Sequence, residues 1–280
     1  MNAIEIQGLE KHYPGFDLKL DLELPQGCIL GLIGENGAGK STTIKAILGM
    51  LPADAGTIRV LGRDNRENFA PARAEIGVVL DEPGIPECLT AEQFGRVLAG
   101  IYPNWDTAVY TEHLQRLAIP TGKKYKDFSR GMKMKLSIAA ALSHHPKLLV
   151  LDEPTSGLDP VVRDEVVEIF SDFTRDEEHA VLISSHIVSD LEKLCDYVAF
   201  LHRGRLLLCE EKDMLREEYG LVQLSKTDFA ALDPAAVIGS RSTPYSVSAI
   251  ARREALPAGI AVESVSIEDL FVLMVKGEES

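Results

Sequence analysis

Short runs that are apolar almost throughout, separated by longer amphipathic stretches, set the rhythm of the first two hundred residues. Residues 29–33, 148–151 and 181–184 are such runs, the mark of strands covered on both faces of a parallel sheet. The first of them enters a Gly-rich loop, followed by a helical stretch through Leu48 that stops at Gly49. Residues 56–62 alternate between apolar and polar positions inside two glycines, which predicts an antiparallel strand. Over residues 90–117 the spacing of Phe94, Val97, Leu98 and Ile101 is helical and Pro103 interrupts it, predicting a helical insertion. Strand runs alternating with helical stretches make the core α/β. After Gly204 the pattern changes: 206–208 predicts a strand, 210–218 a polar helix, and 267–276 an amphipathic helix closing the chain. Strand-like pieces broken by Pro, Gly and Ser lie between, so residues 221–280 read as a small α+β unit appended to residues 1–220.

Composition narrows the class. With 45% hydrophobic and 26% charged residues in 280, the chain is globular in type rather than disordered or fibrous. Its formal charge of −14 argues against a surface built to coat a phosphate backbone. The charge is uneven: residues 121–150 hold seven basic residues and one acidic, while residues 151–220 hold seven basic and eighteen acidic. One basic island stands in an acidic chain. Cys28, Cys88, Cys195 and Cys209 are scattered and form no Cys-x-x-Cys pair, as expected of free thiols in a reducing cytosol. The first residues lack the basic and apolar regions of a signal peptide. No apolar run approaches the roughly 18 residues of a membrane-spanning helix.

Candidate chemistry starts in the Gly-rich loop. Gly34-Glu-Asn36-Gly37-Ala38-Gly39-Lys40-Ser41, with Thr42 behind it, fits G-x-x-x-x-G-K-[ST] between a buried strand and a helix. Glycines let the backbone wrap phosphate oxygens, so that successive N–H groups and the helix N-terminus face the anion. Lys40 would bridge the β- and γ-phosphates of ATP, and the Ser41 hydroxyl would ligate Mg²⁺. A second apolar run ends in Asp152-Glu153, delivered to the carboxyl edge of the sheet where the phosphates would lie. Asp152 is placed to hold Mg²⁺, directly or through water, and Glu153 to polarise the attacking water as general base.

With these residues in hand, the chain resembles the nucleotide-binding subunits of ATP-binding cassette (ABC) transporters over about residues 1–220. Phe128-Ser129-Arg130-Gly131-Met132, 23 positions before Asp152, looks like a diverged signature motif; Ser156-Gly-Leu-Asp159 matches the D-loop; Ser185-His186 matches the switch histidine; and Tyr13, 27 positions before Lys40, matches the adenine-stacking aromatic. The resemblance implies a P-loop NTPase core with a mixed sheet, an antiparallel β subdomain, a helical signature subdomain at about 88–145 and the small C-terminal α+β appendage. It further implies that two copies, or one copy and a related ATPase, sandwich two ATPs. Ser129 and the Gly131 N–H of one chain would bind the γ-phosphate held by the other, Asp159 would couple the two sites, and His186 would contact the γ-phosphate and steady Glu153. Arg130, Lys133 and Lys135 would then turn some positive charge toward the partner's nucleotide.

Two motifs depart from the family pattern. Where the family has Gln after the strand at 76–80, this chain has Asp81-Glu82-Pro83, so the Mg²⁺-contacting role falls to Asp81 or to Glu82 or is weakened; and Arg130 and Met132 replace signature Gly and Gln. Wider features resemble ABC-2-type exporter ATPases of Gram-positive bacteria, including those of antimicrobial and amphipathic-peptide (phenol-soluble modulin) exporters. The implied activity is ATP hydrolysis at the cytoplasmic face of a membrane, driving a permease encoded as another chain. The alternative is an ABC ATPase acting on nucleic acid or ribosomes. Ser129 follows Ser41 by 88 positions with no heptads between, there is one cassette, and the charge is acidic, all of which count against it.

Overall fold

The computed structural model describes residues 1–280 apart from 68, 82, 83, 258, 279, 280 and the side chain of 278. Glu82, the alternative to Asp81, therefore lies outside the described residues. In chain order the strands are β1 (Asn2–Tyr13), β2 (Phe16–Pro25), β3 (Ile29–Ile33), β4 (Ala55–Val60), β5 (Arg63–Asp64), β6 (Ile76–Val79), β7 (Leu148–Asp152), β8 (Ala180–Ser185), β9 (Tyr197–His202), β10 (Arg205–Glu211), β11 (Tyr219–Leu224), β12 (Val237–Ser242), β13 (Val247–Arg252) and β14 (Val262–Ser264). The helices are α1 (Lys40–Ile47), α2 (Ala70–Arg73), α3 (Ala91–Ala99), α4 (Thr107–Arg116), α5 (Arg130–Leu142), α6 (Pro160–Phe173), α7 (Val188–Leu194), α8 (Lys212–Glu218), α9 (Lys226–Ala230) and α10 (Ile267–Glu278).

The larger sheet runs β5-β4-β1-β2-β10-β9-β3-β8-β7-β6. Its second half, from β9 to β6, is parallel and is built from the apolar runs, every residue of β3, β7 and β8 being buried. Because side chains alternate between faces, these strands feed two cores. Ile29, Ile33, Leu149, Leu151, Val181 and Ile183 join the core that includes Leu136, Phe170 and Leu191 of α5, α6 and α7, while Leu30, Leu32, Leu148, Val150 and Leu182 join Ile44 and Ile47 of α1 and the β1–β2 hairpin. The β4 strand pairs antiparallel with β1, as the alternation over 56–62 predicts. The register sets Ile33 opposite Ser185, Asp152 opposite Ser184 and Val79 opposite Leu151, so the carboxyl ends of β3, β8, β7 and β6 share one edge.

The helical insertion forms as two helices. Thr90 caps α3 in a reciprocal capping box with Gln93, and the Asp106 carboxylate caps α4, satisfying amides that have no partner within the helix. Phe94 and Leu98 pack on the core, but Val97 and Ile101, part of the same predicted face, are 47% and 64% exposed. The polar helix predicted from 210 starts later, at Lys212, because Glu210 and Glu211 extend β10 opposite Val198 and Tyr197; the antiparallel ladder overrides local helix preference.

The smaller sheet, β12-β13-β11-β14, is antiparallel. The α10 helix packs on it and reaches the larger sheet, where Phe271 meets Phe200 edge-on with ring centroids 5.3 Å apart. Arg216 bonds Glu192 of α7 at 3.0 Å, and Ile250, Ile267 and Leu270 belong to the same core as Phe200 and Leu191. Hydrophobic burial is thus continuous from the parallel strands into the C-terminal residues.

Candidate active site

The shared carboxyl edge opens into a cleft of about 350 Å³ lined by Tyr13, Phe16, Glu35, Asn36, Gly37, Gly39, Lys40, Ser41, Thr42, Asp81, Asp152 and Glu153. Gly34 and Ala38 form the back of the loop: the Gly34 carbonyl accepts from Lys40 Nζ at 2.7 Å, and Ala38 is buried with its N–H on the Glu35 carbonyl at 3.1 Å. Gly39 caps α1 with φ +113° and no side-chain cap. A Cβ there would stand 2.9 Å from Leu18 Cδ1, so glycine alone admits this close approach of loop to hairpin. The first-turn amides of α1 are left facing the cleft, a ready anion site.

One carboxylate ties the catalytic candidates together. Glu153 Oε1 lies 3.2 Å from the ammonium of buried Lys40, and its Oε2 accepts from His186 Nδ1 at 2.7 Å. Glu153 follows β7 in the left-handed region, φ +53°, a conformation costly for a residue with a side chain. It is held there by its N–H, which reaches both the Oγ (3.1 Å) and the carbonyl oxygen (3.2 Å) of Ser184. The Ser184 hydroxyl in turn donates to Asp152 Oδ1 at 2.6 Å. One side chain of β8 thereby orients both acidic residues at the end of β7.

Other predicted residues stand elsewhere. Ser129 caps α5, accepting from the Met132 N–H at 3.2 Å; Asp159 caps α6, accepting from the Val162 N–H at 3.1 Å; and neither these two nor Gly131 lines the cleft of its own chain. Tyr13 ends β1 at the cleft mouth, 41% exposed, its ring 6.4 Å from that of Phe16. Arg130 does not extend freely outward: its guanidinium bonds Asp81 at 3.1 Å and Ser156 at 3.4 Å. Sequence reasoning missed Ser184, Phe16 and Glu35. The signal for Ser184 is present, since polar residues end an otherwise apolar strand.

Oxygen donors at the cleft include the Ser41 hydroxyl and the Asp152 and Asp81 carboxylates. Among the described residues no group of three or more His, Cys, Asp or Glu side chains gathers to hold a metal by itself.

Comparison with known proteins gives this geometry a family. The ABC transporter family model matches residues 18–156. The bacitracin transport ATP-binding protein BcrA of Enterococcus faecalis is 34% identical over 209 residues, covering 73% of this chain and 68% of that protein. The lantibiotic transport ATP-binding protein SrtF of Streptococcus pyogenes is 35% identical over 215 residues, covering 75% and 91%. The chain belongs to the ABC transporter family. As a member it is a transporter ATPase with a nucleotide-binding domain. The solved structure of an ATP-binding subunit of an ABC transporter superposes on this ABC protein with TM-score 0.69 at 30% identity, over 76% of this chain and 92% of that one. A dimeric ATP-binding cassette in a post-hydrolysis state, bound to ADP and Pi, shares the fold with TM-score 0.67 at 18% identity, over 74% and 98%. The P-loop NTPase fold expected from the sequence is the one observed.

Proposed function

We propose that this ABC ATPase works as a pair of copies, or with a related ATPase, closing on two ATPs and driving a separate permease from the cytoplasmic face of a membrane. The observation that carries this reading is Glu153, held by Lys40 on one oxygen and His186 on the other at the mouth of the phosphate loop. A phosphate arriving on the α1 amides draws the Lys40 ammonium, leaving the carboxylate to orient and deprotonate water with His186 keeping it in place. Tyr13, with Phe16 beside it, offers the base an aromatic platform. Ser129 and Gly131, which stand outside their own cleft, serve the nucleotide of the second copy, and Asp159 sits between the two.

The cleft fits Mg²⁺. That ion takes few protein ligands, prefers oxygen and keeps water and phosphate in its shell, and Ser41, Asp152 and Asp81 supply such a set. When bound it neutralises charge developing on the transferred phosphoryl group. Residues 1–220 carry this chemistry, with 88–145 as the signature-bearing subdomain, and 221–280 a smaller unit buttressing α7.

Coupling follows from β6. Val78 lines two hollows of about 510 and 110 Å³ that also share Tyr102, with Met50, Ile85, Phe94 and Leu98 around them, while Asp81, just beyond the strand, lines the nucleotide cleft. A cytoplasmic helix of the permease seated over exposed Met50 and Ile101 is thereby connected to the phosphates through one short strand. Among the described residues no helix is long and apolar enough to cross a membrane. The relatives that transport bacitracin and a lantibiotic point to peptides as the exported class, and none of those named acts on nucleic acid.

Glu153→Gln keeps the shape of the side chain and removes the base. Steady-state ATPase assays should show turnover falling by about a hundred-fold or more, with ATP affinity retained. Turnover at the level of the unaltered protein would refute the assignment.

A further inference from the structure

Three segments distant in sequence meet at one guanidinium. Arg130 opens α5, and its Nη2 bonds Asp81 Oδ1 at 3.1 Å and Ser156 Oγ at 3.4 Å. The loop after β7 passes so close that a Cβ on Gly157, at φ +67°, would stand 2.9 Å from Arg130 Cζ; glycine there is what lets the guanidinium reach across. Asp81 at the same time lines the cleft with Ser41 and Asp152. A carboxylate in the wall of the nucleotide site is therefore held by a cation of the chain itself. Asp81 and Arg130, each at a motif that departs from the family pattern, are the two ends of one ion pair.

The pair is built to exchange. Both side chains are about half exposed, 50% for Asp81 and 55% for Arg130, and an ion pair so open to water is weak. A divalent ion on neighbouring oxygens exerts twice the charge on the same carboxylate. Among the described residues Asp81 is the one carboxylate bonded to Arg130, so loss of Asp81 leaves that guanidinium charge next to Ser129 and Gly131 at the first turn of α5.

We propose that Arg130 and the divalent ion of a bound nucleotide compete for Asp81, so that loading the cleft passes the carboxylate to the ion and releases the guanidinium at the start of α5. Arg130 is a positioning residue in this scheme: it acts on the nucleotide site through Asp81. The exchange rests on the nucleotide and Mg²⁺ reading of the cleft given above.

The test is equilibrium binding of a fluorescent ATP analogue to the full chain, once in excess Mg²⁺ and once in EDTA. The ratio of the two dissociation constants measures how strongly the ion supports the nucleotide. Removing the competitor by Arg130→Gln should raise that ratio by about two- to five-fold. Asp81→Asn should lower it, and in that background Arg130→Gln should have no further effect. Arg130→Lys, which keeps a weaker partner for Asp81 and guards against a folding defect in the Gln variant, should fall between. A ratio unmoved by Arg130→Gln, or moved equally with Asp81→Asn present, overturns the exchange while leaving the cleft reading intact. Failure of the unaltered protein to bind the analogue in either condition overturns both.

Discussion

Ser184 does more for the site than its place in an apolar strand suggests. Its hydroxyl donates to Asp152 while its oxygens take the N–H of Glu153, so it supports the strained φ of +53° at Glu153 and the direction of the neighbouring carboxylate together. Ser184→Ala removes a buried hydrogen bond to a charged group. It should cost about 1–3 kcal/mol of stability in chemical denaturation and lower ATP turnover, with ATP affinity less affected. At this scale the site was legible wherever the chemistry lies in consecutive residues: Lys40, Ser41, Asp152 and Glu153 are read directly from their motifs. Ser184 and the Arg130–Asp81 pair were not, because each acts through residues dozens of positions away, and only the strand register and helix packing bring them together.

Elements show the same division. The parallel strands are legible because burial on both faces makes them apolar throughout. The hairpin of β1 and β2 is not detected by that criterion, although Leu18, Leu20, Leu22 and Leu24 alternate inward along β2. Where α5 ends, His144 is buried, stacked on Tyr102 at 4.1 Å with Nδ1 donating to the Ala74 carbonyl at 3.1 Å. Burial, and then the neighbouring His145, push its pKa below the ordinary histidine value. In the unfolded chain the ring titrates at about 6.5, so as pH falls through that value the unfolded state takes up the proton first. Stability is therefore whole above about 6.5 and is lost from there down to the lower folded pKa. Denaturation midpoints should drop between pH 7.5 and 5.5, and His144→Gln should shrink that drop. Some slope should remain, because burial depresses His113 in the same direction.

Across the whole molecule, part of the uneven charge is met within the chain. The basic island of 121–150 lies against the acidic segment that follows: Lys135 bonds Glu165 at 2.6 Å and Lys147 bonds Glu178 at 3.0 Å. Lys133 sits over the Tyr125 ring at 4.9 Å, and Arg130 holds Asp81. In the single chain, packing of α5 on its neighbours gives Lys135, Lys133 and Arg130 partners of their own chain. What the chain does leave unmet is geometric: Ser129 and Gly131 lie outside the cleft that holds Lys40 and Glu153. The central claim, that two copies close on ATP and Glu153 then splits it, is tested most directly by sedimentation velocity of Glu153→Gln with and without ATP. A monomer is expected without nucleotide and a stable dimer with ATP. A monomer at saturating, demonstrably bound ATP would contradict closure between two copies of this chain.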